Sequence, residues 1–197
     1  MAIVLASASA PRRALLTAAG VEVLVDPAHV DEAAMKASLA AEGTSPGGVA
    51  EALAELKAAR VSARHAGRLV VGCDQVLECQ GRCFDKPADL AAARRQLLAL
   101  RGQRHSLHSA AVAMRDGARL WHHVGRADLA MRQFSDSFLD SYLAAAGAAA
   151  TASVGAYQLE GLGAQLFERI EGDYFTILGL PLLPLLDFLR GQGEIAR

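Results

Sequence analysis

The sequence lacks any stretch that is long and apolar enough to span a membrane. Its most apolar run, ILGLPLLPLLDFL at 177–189, is too short for a span and contains two prolines and an aspartate. The N-terminal MAIVLASASA also lacks the basic region and the longer apolar run of a secretory signal. We therefore expect a cytoplasmic protein without a membrane partner.

Cysteine is scarce as well. The sequence has Cys73, Cys79 and Cys83, which are an odd number and cannot all pair with one another. Their spacing is not that of a zinc site. We interpret them as small strand residues in a reducing compartment.

An excess of charge of either sign is also missing. The chain has 20 basic and 21 acidic side chains, for a net charge of −1. The absence of a global positive field argues against nucleic acid or an anionic membrane as a partner, so a phosphate ligand must be met by a local cluster of cations. With 197 residues, 52% of them hydrophobic, the chain can bury the core of one large domain or of two lobes that share a core.

The stretch RLVVGCDQVLECQGRCFDKP at 68–87 organises the rest of the prediction. Its apolar β-branched run predicts a buried strand that ends near Gly72 and presents Asp74 and Gln75. A second short strand turns at 80–81 and returns to Lys86. A carboxylate at the end of a buried strand is unfavourable unless a metal, hydrogen bonds or solvent compensate its charge. Alternatively, Asp74 only begins a turn and Lys86 is a solvated surface lysine.

The N-terminal segment predicts a strand at 2–6, a serine-rich turn and a helix at 12–19 that Gly20 ends. This arrangement presents free backbone N–H groups to an anion. Arg12 and Arg13 lie in the first turn, where positive charge interacts unfavourably with the helix dipole. A bound anion would offset this cost. The alternative is a surface turn in which a serine caps the helix, and the sequence does not decide between the two.

The remaining pattern is that of an α/β protein. An acidic loop holds Glu32, and a plain linker at 43–48 precedes a helix from Val49 on which Lys57 either extends to solvent or points into a cleft. The other predicted elements are a strand at 21–25, a weak helix at 33–41, a helix that Asp89 caps and that runs to 100, strands at 105–114 and 120–132 joined by a turn at 115–117, a helix that Ser135 starts and that ends near 147, and a final apolar helix at 180–190. We treat all six histidines as structural or surface residues, with His105 the least certain.

A glycine-punctuated loop occupies 155–163. Its glycines permit close approach of the backbone to a ligand, while Gln158 and Glu160 supply hydrogen-bonding groups. The spacing is neither that of a Walker loop nor that of a Rossmann fingerprint.

In order and spacing, these motifs resemble those of the Maf family of nucleoside triphosphate pyrophosphatases over nearly the whole chain. Each motif is weak alone, but together and collinear they are highly specific. They are LASASAPRRALL at 5–16, the acid pair at 31–32, Lys57, GCDQV at 72–76, DKP at 85–87, GAYQLEG at 155–161 and EGDYFTILGLPL at 171–182.

The resemblance implies an elongated α/β fold of the Maf/ITPase-like type, with a curved mixed sheet and a deep cleft between two lobes of a single domain over 1–197. It implies hydrolysis of a nucleoside triphosphate between the α- and β-phosphates, which yields a monophosphate and pyrophosphate. A divalent cation, Mg²⁺ or Mn²⁺, is the implied cofactor.

The resemblance also implies roles for matched residues. Asp74 would be the general base and, with Glu32, would hold the metal, and Lys57 and Lys86 would be catalytic. The residues implied to bind substrate are Ser7, Pro11, Arg12, Arg13, Gln75, Gln158 and Glu160, of which Pro11, Gln75 and Glu160 match positions that choose the base.

Gln75 and Glu160 resemble the branch of the family that acts on 7-methyl-GTP, because the branch acting on dTTP and UTP usually has threonine beside the base aspartate. A carboxylate at 160 suits the donor edge of guanine and a cationic methylated ring. Two departures are Pro11, which stands where that branch often has an aromatic residue, and Ala148-Ala149, where the family usually has an acid and a proline.

Several functional alternatives stay open on the sequence alone. They are a dTTP/UTP-type or ITP-type pyrophosphatase, and a non-catalytic nucleotide-binding regulator of cell division. Retention of Asp74 and of four cations argues against the regulator, since a pure binder needs no base. Exposed apolar surface on the last helix would fit a homodimer.

Overall fold

The computed structural model describes residues 2–196, and within that range the chain forms seven strands and seven α-helices. The strands are β1 (Ile3–Leu5), β2 (Val23–Val25), β3 (Val70–Cys79), β4 (Arg82–Phe84), β5 (Arg104–Arg115), β6 (Ala118–Met131) and β7 (Phe167–Gly172). The helices are α1 (Ala10–Ala18), α2 (Glu32–Ala41), α3 (Pro46–Ser62), α4 (Leu90–Leu100), α5 (Asp136–Ala146), α6 (Tyr174–Ile177) and α7 (Leu182–Gly191). Short 3-10 helices lie at Gly147–Thr151, Val154–Ala156 and Leu162–Leu166.

All seven strands belong to one mixed sheet. Its order is β2-β1-β3-β5-β6-β7, and β4 pairs with β3 outside this path. Strand β1 is parallel to both β2 and β3, whereas β3–β4 and β6–β7 are antiparallel. The predicted α/β class with a mixed sheet is therefore confirmed.

The described chain divides into two compact units. The first contains residues 2–75, 108–125 and 173–196, and the second contains 76–107 and 126–172. None of the helices described between residues 2 and 196 has the length and apolar character needed to cross a membrane. The predicted cleft between two lobes stays a prediction.

The core of the first unit is formed by apolar side chains of the sheet and of two helices. Side chains of β1 and β3 pack with those of α1 and α7, and the members include Ile3, Leu5, Leu16, Val71, Cys73, Leu185 and Leu189. Helix α1 begins at Ala10, two residues before the predicted start at Arg12, because the Ser9 hydroxyl caps it by accepting a hydrogen bond from the Arg12 amide. Its end before Gly20 is as predicted, since this residue adopts a φ of +77°.

The core of the second unit forms around α4, which packs against α5 and two of the 3-10 helices. Asp89 caps α4 and Ser135 caps α5, as the sequence predicts. Tyr142 on α5 is buried and donates a hydrogen bond to the carbonyl oxygen of Ala156.

Strand β3 differs from its prediction in an important way. We predicted a strand that ends near Gly72, but β3 continues without a break through Asp74 to Cys79. The carboxylate is tolerated inside the strand because the Lys57 ammonium group pairs with it. The predicted turn at Gln80-Gly81 is confirmed, and both residues have positive φ.

Two predicted loops are helix starts instead. Asp31 caps α2 through a hydrogen bond from the Ala34 amide, which places Glu32 at the first position of that helix. The supposed linker at 43–48 contains the start of α3, because Ser45 caps the helix and Pro46 occupies its first turn. Strand β7 and helix α6 had not been predicted.

Candidate active site

A buried ion pair connects α3 and β3 in the first unit. Lys57 Nζ lies 2.6 Å from Asp74 Oδ1, and the two side chains are only 10% and 8% exposed. The sequence did not decide whether Lys57 extends to solvent. In the structure its ammonium group is buried against Asp74. Each charge compensates the other, which is the condition under which charged groups are tolerated away from water.

Gly72 permits this pairing by allowing α3 to lie directly against β3. A β-carbon at this position would be 2.0 Å from the carbonyl oxygen of Ala54 and 2.7 Å from the amide nitrogen of Ala58. Both contacts are with the backbone of α3, in the turns on either side of Lys57. A glycine inside a strand is a sequence signal for such close approach, although we had interpreted Gly72 only as a strand end.

Glu32 brings a second carboxylate to the same lysine. Its Oε1 lies 2.8 Å from Lys57 Nζ, and its side chain is 43% exposed. The lysine therefore stands between a buried acid on β3 and a partly exposed acid at the start of α2. The structure thus brings Glu32, Lys57 and Asp74 together from three separate elements.

The second carboxylate oxygen of Asp74 is unsatisfied. Oδ2 is buried and accepts no hydrogen bond from the described residues. An ionised carboxylate can accept several hydrogen bonds or bind a cation, so this oxygen can receive a proton, a water molecule or a metal ion. Within residues 2–196, no group of three or more histidine, cysteine or acidic side chains is arranged to hold a metal without further ligands.

Arg12 is 9% exposed and makes three hydrogen bonds inside the first unit. Its Nη1 donates to Ser7 Oγ at 3.1 Å and to the Cys73 carbonyl oxygen at 2.9 Å. Its Nε donates to the Gly179 carbonyl oxygen at 2.8 Å. These bonds connect the β1–α1 turn, strand β3 and the turn before α7.

The rest of the β1–α1 turn surrounds this guanidinium group. Ser7 is buried, and its hydroxyl oxygen also accepts a hydrogen bond from the Ser9 amide at 3.3 Å. Arg13 is exposed and Pro11 is partly buried. The two arginines therefore differ in environment, since Arg12 is buried and Arg13 is exposed, although the sequence motif presents them as equivalent.

Gln75 is oriented by the first unit itself. Its Nε2 lies within hydrogen-bond distance of Ser109 Oγ at 2.9 Å, the Ile177 carbonyl oxygen at 3.0 Å and the Thr176 carbonyl oxygen at 3.2 Å. The donor end of this amide thus faces the α6 segment, a contact that sequence reasoning missed. The carbonyl end is the part of the side chain left to meet a ligand.

The other predicted residues lie in the second unit. Lys86 follows β4 and is exposed, Gln158 is partly buried, and Glu160 is exposed. Their predicted roles toward phosphate and base stay predictions.

A buried histidine–tyrosine pair precedes Gln158 and Glu160 in the second unit. His105 Nε2 lies 2.8 Å from Tyr157 Oη, and the ring of Phe167 packs against both. Burial lowers the pKa of His105 to about 4 and raises the pKa of the Tyr157 phenol far above its ordinary value. Both groups are therefore neutral near pH 7. We predicted a structural role for His105, and its burial agrees with that role.

Together these features define a mixed α/β protein whose first unit buries a lysine between carboxylates beside a serine–arginine turn. The sequence profile of the Maf-like protein family matches residues 2–192. The chain belongs to the Maf family.

Relatives of nearly full length are similar to this chain. A protein of Paramagnetospirillum magneticum named nucleoside triphosphate pyrophosphatase is 62% identical, over 97% of this chain and 98% of the relative. A protein of Mesorhizobium japonicum named 7-methyl-GTP pyrophosphatase is 57% identical, over 98% and 97%. A third, from Granulibacter bethesdensis and named nucleoside triphosphate pyrophosphatase, is 54% identical, over 96% of each chain.

Proposed function

We propose that this protein is a nucleoside triphosphate pyrophosphatase that hydrolyses the bond between the α- and β-phosphates. The observation that carries the proposal is the state of Asp74, which has one oxygen bound by Lys57 and a second that is buried without a donor among the described residues. A carboxylate held in this way is suited to accept a proton from water. The names of the full-length relatives support the same activity.

In the proposed reaction, water attacks the α-phosphorus in line with the departing pyrophosphate. Asp74 Oδ2 accepts a proton from that water while Lys57 holds Oδ1 in place. Developing negative charge on the pyrophosphate is stabilised by cations, for which Arg13 and Lys86 are the exposed candidates. The residues thus supply the base, its support and the charge that a triphosphate requires.

A divalent cation fits the donor set of the first unit. Mg²⁺ is commonly held by one or two carboxylates together with phosphate oxygens and water, so a complete protein cage is not required. Glu32 and Asp74 provide two carboxylates at one lysine, and the unsatisfied Asp74 Oδ2 is an available oxygen ligand. Mg²⁺ or Mn²⁺ bound there with the triphosphate would neutralise phosphate charge.

We further propose 7-methyl-GTP or a similar modified purine nucleotide as the substrate. One relative that is 57% identical is named for that activity. The Gln75 amide nitrogen is occupied within the first unit, which leaves its carbonyl oxygen to accept from a donor on the base. Glu160 would add a carboxylate suited to the N–H edge of guanine.

The test is a panel of 7-methyl-GTP, GTP, dTTP, UTP, CTP and ITP with Mg²⁺ or Mn²⁺, with pyrophosphate release as the readout. Hydrolysis in ¹⁸O-labelled water identifies the phosphorus that water attacks, because attack at the α-phosphorus places the label in the monophosphate. We expect the label there and the highest kcat/KM with 7-methyl-GTP. Label in pyrophosphate would contradict attack at the α-phosphorus, and no release of pyrophosphate from any triphosphate would contradict the proposed activity. Binding without turnover would favour a nucleotide-binding regulator.

Homodimer formation is a separate proposal. Leu183 on α7 is 58% exposed, the highest exposure among the large apolar side chains of the described part of the chain. We expect sedimentation velocity to detect a dimer that Leu183→Lys weakens. A monomer at all concentrations would contradict this.

A further inference from the structure

Arg12 differs from the other predicted phosphate-binding residues because its guanidinium group is used inside the protein. Two of its nitrogens donate to Ser7 Oγ, to the Cys73 carbonyl and to the Gly179 carbonyl, at distances of 2.8 to 3.1 Å. These acceptors are 5, 61 and 167 residues away in sequence. No acid pairs with this charge among the described residues, so its acceptors are all neutral.

The bond to Cys73 bears directly on Asp74. The carbonyl of Cys73 and the amide N–H of Asp74 belong to the same planar peptide unit. A hydrogen bond to that carbonyl therefore restrains the plane from which the Asp74 side chain projects. The same guanidinium group also holds Ser7, so it sets the β1–α1 turn relative to the carboxylate within the first unit.

Arg13 has the opposite character. It is the next residue in α1, but it is exposed, and its side chain makes no ion pair or hydrogen bond with the described part of the chain. The N–H donors of its guanidinium group are therefore available to form a bidentate pair of hydrogen bonds with two phosphate oxygens.

We propose that Arg12 is a positioning residue for Asp74, and that Arg13 makes the phosphate contact. This inference rests on the proposed pyrophosphatase activity and divides between two adjacent arginines the roles that the motif assigns to both. It predicts that loss of the Arg12 geometry lowers turnover without weakening phosphate binding.

Gly179 allows the inference to be tested without changing Arg12. Its φ is +95°, and a β-carbon there would lie 3.3 Å from Arg12 Nε and 3.4 Å from Nη2. Gly179→Ala therefore requires the guanidinium group and the added carbon to move apart by a few tenths of an ångström. Gly193→Ala is the matched control, because Gly193 also has a positive φ of +72° but no atom within 4 Å of the added carbon. It also places an alanine at a positive φ, but without the contact to Arg12.

The experiment compares Arg12→Lys, Gly179→Ala, Gly193→Ala and Arg13→Met with the wild type. For each we measure kcat, KM and the inhibition constant of pyrophosphate, which probes phosphate binding directly. Arg12→Lys keeps the charge but cannot reproduce the directed bonds of Nε and Nη1. We expect Arg12→Lys and Gly179→Ala each to lower kcat by about 10- to 100-fold, because a small displacement of the Asp74 carboxylate slows the reaction. Pyrophosphate inhibition should change less than about twofold in both, whereas Arg13→Met should weaken it about tenfold.

Thermal melting identifies any variant that fails to fold. If Arg12→Lys fails to fold, the comparison of Gly179→Ala with Gly193→Ala tests the inference alone. The inference is overturned if Arg12→Lys or Gly179→Ala weakens pyrophosphate inhibition as much as Arg13→Met, or if both keep normal kcat. Absence of activity in the wild type is a different outcome, because it removes the proposed function together with this inference.

Discussion

A β-carbon on Gly72 would lie 2.0 Å from the carbonyl oxygen of Ala54. Real side chains do not approach a backbone oxygen so closely, so any larger residue must push α3 away from β3. Lys57 lies on that helix and pairs with Asp74 on that strand. The absence of a side chain at Gly72 is therefore required for the ion pair between Lys57 and Asp74.

Gly72→Ala should consequently destabilise the protein by about 3 kcal/mol or more, since the obstacle is rigid backbone and not a movable side chain. Urea denaturation measures the free energy of unfolding. Gly191→Ala, at the end of α7, meets no atom within 4 Å and should change that free energy by at most about 1 kcal/mol. Equal stability of the two variants would contradict the packing described for α3 and β3.

Asp74→Asn should lower kcat by about 10²- to 10⁴-fold while nucleotide binding is retained, because the amide cannot accept the proton of the attacking water. Single-turnover kinetics and equilibrium binding of the nucleotide separate the two effects. Asp140→Asn is the control, since that side chain is 63% exposed and pairs only with Arg94 among the described residues. Near-normal turnover in Asp74→Asn would remove this residue from the role of base.

The two carboxylates at Lys57 predict how the metal binds. Because Glu32 and Asp74 are both paired with the lysine, the free protein should bind Mn²⁺ only weakly, and addition of a nucleotide should tighten binding at least tenfold. Mn²⁺ electron paramagnetic resonance measures bound ion in each case. Chelation with EDTA should abolish pyrophosphate release, and Mg²⁺ or Mn²⁺ should restore it. Tight Mn²⁺ binding without nucleotide would contradict the two-carboxylate arrangement.

Local signals predicted much of the fold. Helices α1, α4 and α5 begin at serine or aspartate caps that the sequence displays, and β5 and β6 are joined at the predicted turn of Asp116 and Gly117. Each of these features depends on residues only a few positions apart. The final helix α7 was likewise predicted, because its apolar run is bounded by proline and glycine.

Features that depend on distant partners were not predicted. The continuation of β3 past Asp74 depends on Lys57, which lies 17 residues earlier on another element. Gly47 and Gly48 suggested a linker because of their low helix propensity, yet the cap of Ser45 and the position of Pro46 start α3 there. Strand β7 was missed because half of its sequence, FERIEG, is charged and no apolar alternation marks it as a strand. This strand is defined by its antiparallel pairing with β6, and its sequence shows no apolar pattern.

Thiol accessibility tests the placement of the three cysteines. Burial raises the pKa of Cys73 to about 11 and also raises that of Cys79, whereas Cys83 is exposed on β4. Ellman's reagent at pH 8 should therefore modify one thiol of the folded protein and three in urea. Cys83→Ser should leave no reactive thiol in the folded state. Rapid modification of that variant before unfolding would contradict the burial of Cys73 and Cys79.

The buried His105 should make stability depend on pH. Its folded-state pKa is lowered to about 4 by burial, partly opposed by the charge of Asp128, while an exposed histidine titrates near pH 6.5. Between about pH 4 and pH 6.5 the unfolded chain therefore binds a proton that the folded protein does not. The free energy of unfolding must fall as pH decreases through this window, by roughly 3 kcal/mol in total.

The contribution of this one residue can be isolated with His105→Gln. That variant loses the bond to Tyr157, so it should be less stable at pH 7, but its free energy of unfolding should fall less between pH 6.5 and pH 4.5. His122→Gln serves as the control, because that side chain is 49% exposed and should leave the wild-type dependence intact. Urea denaturation of the three proteins at several pH values provides the comparison. If His105→Gln retains the full wild-type slope, other groups cause the acid sensitivity, and the buried neutral state of His105 is not its source.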